Sequence, residues 1–175
     1  MSTVLPAALT SALLRCAQLL GAADVPWLVA GGTARALSGF ATPPRDLDVE
    51  VPAEHMAEAA DALGLTATTA IDPGARSTRA MGHLEGVEID LTAGLVLTGP
   101  GGILPPDFDL MSRFAESVDL GGVHVRVMPP EEQIVRILVA GDEERRLRFV
   151  GEAPAGYVPR EDYVSARLGS ARAIR

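Results

Sequence analysis

The sequence predicts an α/β (α+β) fold in which a small mixed β-sheet is flanked by helices, with short helices appended at the C-terminus. Apolar runs typical of strands alternate with helical patterns along the chain. Apolar and acidic residues alternate over residues 46–51, which indicates a strand with one buried face. Two pairs of strand-like segments flank the turn signals Glu85-Gly86 and Gly121-Gly122, which predict antiparallel hairpins.

The first half of the chain is predicted to contain three helices, two strands and a proline-bearing loop. Pro6 and Gly21 suit the start and the end of the first helix, and Gly39 and Gly64 close the other two. The helices are predicted over residues 6–20, 33–38 and 53–63, the last of them rich in alanine. The strands are predicted over residues 25–30, which would be central, and 46–51. The loop covers residues 41–45.

The second half is predicted to contain two hairpins and two helices. The hairpins cover residues 76–92 and 117–128, and the helices cover residues 129–140 and 160–173, the first opened by prolines and acids. Residues 94–106 are rich in glycine and proline and are predicted to form a loop. This loop is a candidate lid, with a passive connection as the alternative. Residues 141–156 are charged and then contain glycine and proline, and no motif assigns a role to residues 141–175.

The composition limits both the architecture and the partners. With 175 residues, of which 47% are hydrophobic, the chain is expected to form one domain, with its core over about residues 25–140. A net charge of −8 disfavours broad nucleic-acid binding, which normally uses a basic surface. All 15 basic residues are arginine, so phosphate contacts fall to arginine, hydroxyl or backbone groups. No signal peptide or membrane span is recognisable, which predicts a cytoplasmic protein.

Asp46 and Asp48 form the first candidate site. Carboxylates at i and i+2 on a strand lie on the same face, about 6.6–6.8 Å apart along the backbone, and their head groups can converge on one hard cation. Such oxygen ligands suit Mg²⁺, with Mn²⁺ as the alternative. The competing interpretation is a solvated acidic face. Glu50 has the same parity and is expected to be exposed or paired with an arginine.

Asp90 is the third candidate acid. It lies between Ile89 and Leu91 in an apolar run, and we expect it to face the same pocket as the first two acids. Glu88 shares its parity and is the competing candidate.

A glycine pair, Gly31-Gly32, separates the predicted central strand from the following helix. Backbone N–H groups and the helix dipole at such a turn favour an anion, although a tight turn alone would also select glycine. Thr33 could cap the helix or donate to a phosphate. Arg35 and Arg45 are the nearby cations, and Arg45 could instead pair with an acid.

The ordered set Gly31-Gly32, Asp46-x-Asp48 and Asp90 resembles the nucleotidyltransferase superfamily related to DNA polymerase beta. The resemblance covers roughly residues 25–140 and is strongest to small single-chain members, including aminoglycoside and lincosamide nucleotidyltransferases and abortive-infection toxins. It implies that the three aspartates are catalytic metal ligands, that Asp90 also acts as a general base, and that the glycine turn holds a nucleoside triphosphate (NTP). Arg136 occupies a helix position where many members carry a lysine that reaches the triphosphate; a surface arginine is the alternative.

The activity implied by the resemblance is metal-dependent transfer of a nucleoside monophosphate from an NTP to an acceptor hydroxyl. An acidic protein favours a small cationic acceptor, as in antibiotic modification. A tRNA or protein hydroxyl, as in toxin–antitoxin systems, stays open. The alternatives are an inactive nucleotide-binding or interaction module and a nucleotide-sugar glycosyltransferase, although few residues precede the metal motif for the latter. The sequence does not identify the NTP or the acceptor, and a homodimer or a protein partner stays open.

Overall fold

An eight-stranded mixed β-sheet forms the centre of the computed structural model, which describes residues 5–41 and 44–173. The strands are β1 (Leu28–Val29), β2 (Leu47–Val51), β3 (Thr68–Asp72), β4 (Ala75–Leu84), β5 (Val87–Gly99), β6 (Gly102–Leu104), β7 (Glu116–Asp119) and β8 (His124–Val127). The strand order is β3-β4-β5-β2-β1-β8-β7, and β6 pairs with β5 outside this path. The β2–β5 and β1–β8 pairs are parallel, whereas the other pairs are antiparallel.

Seven α-helices flank this sheet in the described part of the chain. They are α1 (Ala7–Ala22), α2 (Gly31–Leu37), α3 (Met56–Ala62, preceded by a 3-10 turn over Ala53–His55), α4 (Phe108–Phe114), α5 (Pro130–Ala140), α6 (Glu143–Glu152) and α7 (Glu161–Gly169). The predicted α/β (α+β) class, the mixed sheet and the C-terminal helices are therefore confirmed.

The two faces of strands β2 and β5 differ sharply in polarity. Leu47 and Val49 pair in register with Ile89 and Leu91, and all four are buried in a core to which α1 and α3 contribute. Burying an aliphatic side chain of this size contributes about 1.5–3 kcal/mol. Because side chains alternate along a strand, the acids between these residues lie on the opposite face. The predicted alternation of an apolar and an acidic face is confirmed.

The prediction of a loop, and hence of a candidate lid, over residues 94–106 is wrong. Most of this segment is the end of β5 and its hairpin partner β6. Gly94, at φ +62°, lies where the β4–β5 register shifts, so it marks a bulge inside a strand. A Cβ atom at Gly99 would lie 2.2 Å from the carbonyl oxygen of Val139, so this glycine permits close packing of the hairpin on α5. The glycines that suggested a loop serve a bulge and a close backbone approach.

Some other elements also differ from prediction. Strand β3 and helices α4 and α6 were not predicted, and β1 is shorter than the apolar run 25–30. Helix α2 begins at Gly31, so the glycine pair lies within its first turn. Thr42 and Pro43, in the predicted loop 41–45, lie outside the described residues. No helix among the described residues combines the length and the apolar character needed to cross a bilayer.

Candidate active site

The carboxylate of Asp48 lies directly against the glycine turn that begins α2. Its Oδ2 accepts a hydrogen bond from the Gly32 N–H at 3.2 Å, and its backbone carbonyl accepts one from Ala30 at 2.9 Å. Gly31 has a φ of +55°, and a Cβ atom built there would lie 1.8 Å from Oδ2 of Asp48. Glycine at position 31 therefore allows both the left-handed backbone conformation and the close approach of the carboxylate.

The surroundings of Asp48 oppose its ionisation. Burial raises the pKa of Asp48 to about 6, and the negative charge of Asp46 acts in the same direction, while the hydrogen bond from Gly32 lowers it. A carboxylate held in this way has most to gain from a nearby cation. The donors here are carboxylate oxygens, which fit Mg²⁺ or Mn²⁺ in chemical character.

Asp90 lies beside Asp48 on the neighbouring parallel strand. The two residues pair in register, so both side chains lie on the same face of the sheet. Arg79 on β4 forms a two-point ion pair with Asp90: its Nε lies 3.1 Å from Oδ1, and its Nη2 contacts Oδ2. No motif singled out Arg79 in the sequence. The predicted hairpin could have indicated this pair, because it places Arg79 on the strand next to that of Asp90.

The three aspartates do not form a closed metal cluster. Across residues 5–41 and 44–173, no three side chains of Asp, Glu, His or Cys are grouped closely enough to hold a metal ion. Asp46 lies just before β2 and is close enough for its charge to affect Asp48, while Asp90 is engaged by Arg79. The structure thus places Asp48 and Asp90 side by side, and ligation of a metal by the three acids stays a prediction.

A cavity of about 420 Å³ opens beside the glycine turn and Asp48. Five of the predicted site residues line it: Gly31, Gly32, Arg35, Asp48 and Arg136. Asp46 and Asp90, which were expected to face the same pocket as Asp48, are not among its described lining residues. A second wall comes from α5 and α6. It includes Arg145 and Arg148, which no sequence pattern singled out. Gln133 joins the walls, because its Nε2 donates to the carbonyl oxygen of Gly31 at 2.8 Å.

Three predicted binding residues have other contacts or positions. Arg35 donates from Nη1 to Glu152 at 2.6 Å, at the edge of the cavity. Thr33 is fully buried, and its hydroxyl donates to the carbonyl oxygen of Asp46 at 2.8 Å, which holds the turn against the start of β2. Arg45 is exposed, and neither it nor Thr33 is among the described residues that line the cavity.

Arg136 lines the cavity and is also part of a buried ionic network. Its Nε donates to Glu132 at 2.9 Å, and its Nη2 donates to Glu50 at 2.8 Å. Of the two expectations for Glu50, pairing with an arginine is confirmed, whereas exposure is wrong because the residue is buried. Glu132 also accepts hydrogen bonds from Arg167 and from the Tyr163 hydroxyl, so α7 is tied into the network. Burial opposes ionisation of Glu132, yet the two arginines outweigh it and lower its pKa.

Comparison with known proteins adds evidence on the fold. No family model matches the chain, and no curated relative matches its sequence. A Thermotoga maritima protein, described as a candidate nucleotidyltransferase, superposes with a TM-score of 0.69 at 17% identity over 85% of this chain and 94% of its own.

Two structures of the aminoglycoside nucleotidyltransferase ANT(2'')-Ia, one of them in complex with adenylyl-2''-tobramycin, also match. Each has a TM-score of 0.49; the identities are 14% and 15%, over 91% and 96% of this chain and 86% and 83% of theirs. At these identities a similarity shows the fold alone. The fold assignment depends on the Thermotoga superposition, which has the higher TM-score. The protein therefore has a nucleotidyltransferase-like fold.

Proposed function

We propose that this protein is a metal-dependent nucleotidyltransferase, which moves a nucleoside monophosphate from an NTP to an acceptor hydroxyl. The observation that carries the proposal is the cavity, which joins the glycine turn and Asp48 to arginines on a nucleotidyltransferase-like fold. Guanidinium groups match the geometry of phosphate oxygens, and carboxylates match a hard cation. One site thus offers both halves of the recognition of a metal-bound NTP.

Each of the predicted site residues has a role in this proposal. Asp46, Asp48 and Asp90 would hold Mg²⁺ or Mn²⁺, which when bound neutralises charge on the phosphates. Asp90 accepts the proton of the acceptor hydroxyl, and Arg79 orients its carboxylate through the two-point ion pair.

The binding residues divide into two groups. Arg35 and Arg136 face the cavity and balance the charge of the triphosphate, while Gly31 and Gly32 let it approach the backbone. Thr33 fixes the turn through its bond to Asp46. Arg45 is exposed and does not line the cavity, so its contact with the nucleotide stays a prediction.

The acceptor proposed here is a small cationic molecule that carries a hydroxyl group. The net charge of −8 attracts cations and repels polyanions such as tRNA. A tRNA or protein hydroxyl is the alternative that an acceptor panel would identify.

The direct test is an assay of pyrophosphate release with Mg²⁺, each NTP and a panel of acceptors, on the wild type and on Asp48→Asn. We expect Asp48→Asn to abolish metal-dependent nucleotide binding. Its thermal stability without metal should hold or rise, because a costly buried charge is removed. Asp61→Asn, which removes an exposed acid of α3, is the control. Unchanged nucleotide binding by Asp48→Asn would contradict the proposal.

The same assay assigns the general base. Asp90→Asn should lower kcat by about 10²–10⁴-fold, the range typical for loss of a base. Glu88→Gln is the matched control because Glu88 shares the strand parity of Asp90 but is exposed. An inactive Glu88→Gln variant beside an active Asp90→Asn variant would move the base to Glu88.

A nucleotide-binding module without activity is the second candidate function. The observation that favours it is the ion pair of Arg79, which engages one of the three acids needed for metal-dependent chemistry. Magnesium-dependent nucleotide affinity without turnover across the acceptor panel would select this candidate.

A further inference from the structure

Two arginines of α6 share the cavity with the glycine turn and Asp48, although their segment carries no recognisable motif. We propose that Arg145 and Arg148 bind the polyphosphate tail of the nucleotide and so make the site selective for triphosphates over monophosphates. The inference rests on the proposed function, because it assigns residues to the leaving-group end of the same substrate.

The spacing of the α6 arginines separates them into two groups. Arg145 and Arg148 are three residues apart, so they lie on the same side of the helix, and both line the cavity. Arg146 lies between them but pairs with Glu143 and lines a different, apolar groove. Helix α6 therefore contains two candidate phosphate ligands, Arg145 and Arg148, and a control arginine, Arg146, that does not line the same cavity.

Helix α6 is fixed relative to the glycine turn by contacts at its far end. Phe149 is buried against Phe40, with ring centroids 4.8 Å apart. Glu152 pairs with Arg35 at 2.6 Å, and its carbonyl oxygen accepts from the Ala41 N–H at 2.9 Å. These contacts join α6 to α2 and to the residues just after it, so the arginines are held at a defined distance from the turn.

The present partners of the two arginines can be exchanged at little cost. Arg145 lies 3.4 Å from Asp142 and Arg148 lies 2.8 Å from Glu144, and the arginine side chains are 72% and 55% exposed. Exposed ion pairs of this kind contribute little to stability. A polyphosphate carries several negative charges, and two oxygens of a phosphate group can accept a pair of hydrogen bonds from one guanidinium group. A polyphosphate therefore competes well with both carboxylates.

The arginines that line the cavity differ in how firmly they are paired. Four arginines line it, with Asp48 and Asp142 as the acids among its described lining residues. Each of these arginines is paired with a carboxylate, so the surplus of arginines is not an excess of positive charge. The pairs of Arg35 and Arg136 are largely buried, whereas those of Arg145 and Arg148 are exposed, so the latter two can turn to the part of the substrate that leaves as pyrophosphate.

The test compares the wild type, Arg145→Ala/Arg148→Ala and Arg146→Ala by calorimetric titration with Mg²⁺ and one of three probes: ATP, AMP or inorganic tripolyphosphate. The double variant should bind ATP and tripolyphosphate about 10- to 100-fold more weakly, the loss expected for one or two charge-assisted hydrogen bonds. Its affinity for AMP should stay within about twofold of the wild type, and Arg146→Ala should match the wild type for all three probes.

The outcomes separate this inference from the proposed function. Failure of the wild type to bind tripolyphosphate, equal losses for ATP and AMP, or identical behaviour of the double variant and Arg146→Ala would overturn the inference. Wild-type turnover together with any of these results leaves the proposed function intact. Arginine-dependent binding of tripolyphosphate without nucleotide transfer would support the polyphosphate site and overturn the transfer reaction.

Discussion

Glu132 is fully buried and Asp48 is partly buried, and their surroundings act on the two carboxyls in opposite ways. Glu132 on α5 accepts hydrogen bonds from Arg136, Arg167 and Tyr163, and the two arginines lower its pKa in spite of burial. Asp48 on β2 accepts one from Gly32, and burial together with a neighbouring acid raises its pKa to about 6.

The difference indicates what each region does. A buried charge with a full set of donors can be kept by the fold alone, whereas one beside a second acid is costly until a cation or a proton arrives. Glu132 joins α5 to α7 and serves stability. Asp48 lines the cavity, where the proposed function assigns it to the metal. Arg136 contacts Glu132 and also lines the cavity, so it connects the two regions.

The largest effect is expected for Glu132→Gln. The change leaves the buried cation of Arg167 without its counter-charge and removes one of two from Arg136, which should lower the free energy of unfolding by about 3–5 kcal/mol. Urea denaturation measures the loss. Glu143→Gln, which breaks an exposed pair with Arg146, should cause no measurable change. Equal stability of the two variants would show that the network does not stabilise the fold.

The second prediction uses pH to compare the two carboxyls. The pKa of Asp48 is raised in the folded protein from 3.8 to about 6, so the folded protein holds the proton of this carboxyl more tightly than the unfolded chain does. The stability that the protonated carboxyl contributes is fully present below about pH 4 and is lost as the pH rises through 6. Asp48→Asn should therefore become more stable than the wild type between pH 4 and pH 7, by about 2–3 kcal/mol in denaturation without metal.

The pH dependence of stability due to Glu132 has the opposite sign, because the pKa of this carboxyl is lowered in the folded protein. Its contribution to stability is present above its ordinary pKa of 4.5 and is lost as the pH falls through the folded pKa.

Asp61→Asn is the control for a general effect of removing one charge, for comparison with Asp48→Asn. A stability difference between Asp48→Asn and the wild type that does not change with pH would show that Asp48 titrates normally.

The last prediction compares two glycines. Gly31 and Gly64 both have positive φ, +55° and +68°, so the backbone conformation alone should cost alanine at either position about 1–2 kcal/mol. Only at Gly31 does the new Cβ atom collide with Asp48, because nothing lies within 4 Å of it at Gly64. Gly31→Ala should therefore lose more stability than Gly64→Ala, and it alone should lose affinity for Mg²⁺–nucleotide. Retained affinity would show that the contact is not needed.

The polar face of the sheet was predictable because strand periodicity is a local property. The alternation around Asp48 was sufficient to assign its face, and the same pattern holds at Asp90. Their registered pairing was not predictable, since it depends on how two strands 42 positions apart align. Likewise the pairing of Glu50 with an arginine was foreseen, but not that it would be Arg136, which lies 86 positions away.

The second wall of the cavity could not be predicted for a physical reason. Helix α6 consists mostly of charged residues and buries Phe149 while exposing most of the others, so its sequence indicates a solvated segment and not an element packed beside a site. No pattern in the sequence therefore singles out Arg145 and Arg148. Similarly, Gly94 and Gly99 indicated a loop because a glycine in the sequence does not distinguish a turn from a bulge or a close contact.

The ion pair between Arg35 and Glu152 joins residues that are 117 positions apart. The glycine turn and Asp48 are synthesised before α6, so a nascent chain lacks one wall of the cavity until α6 has emerged from the ribosome. If the nucleotide needs both walls, a chain that stops before α6 would gain no stability from it.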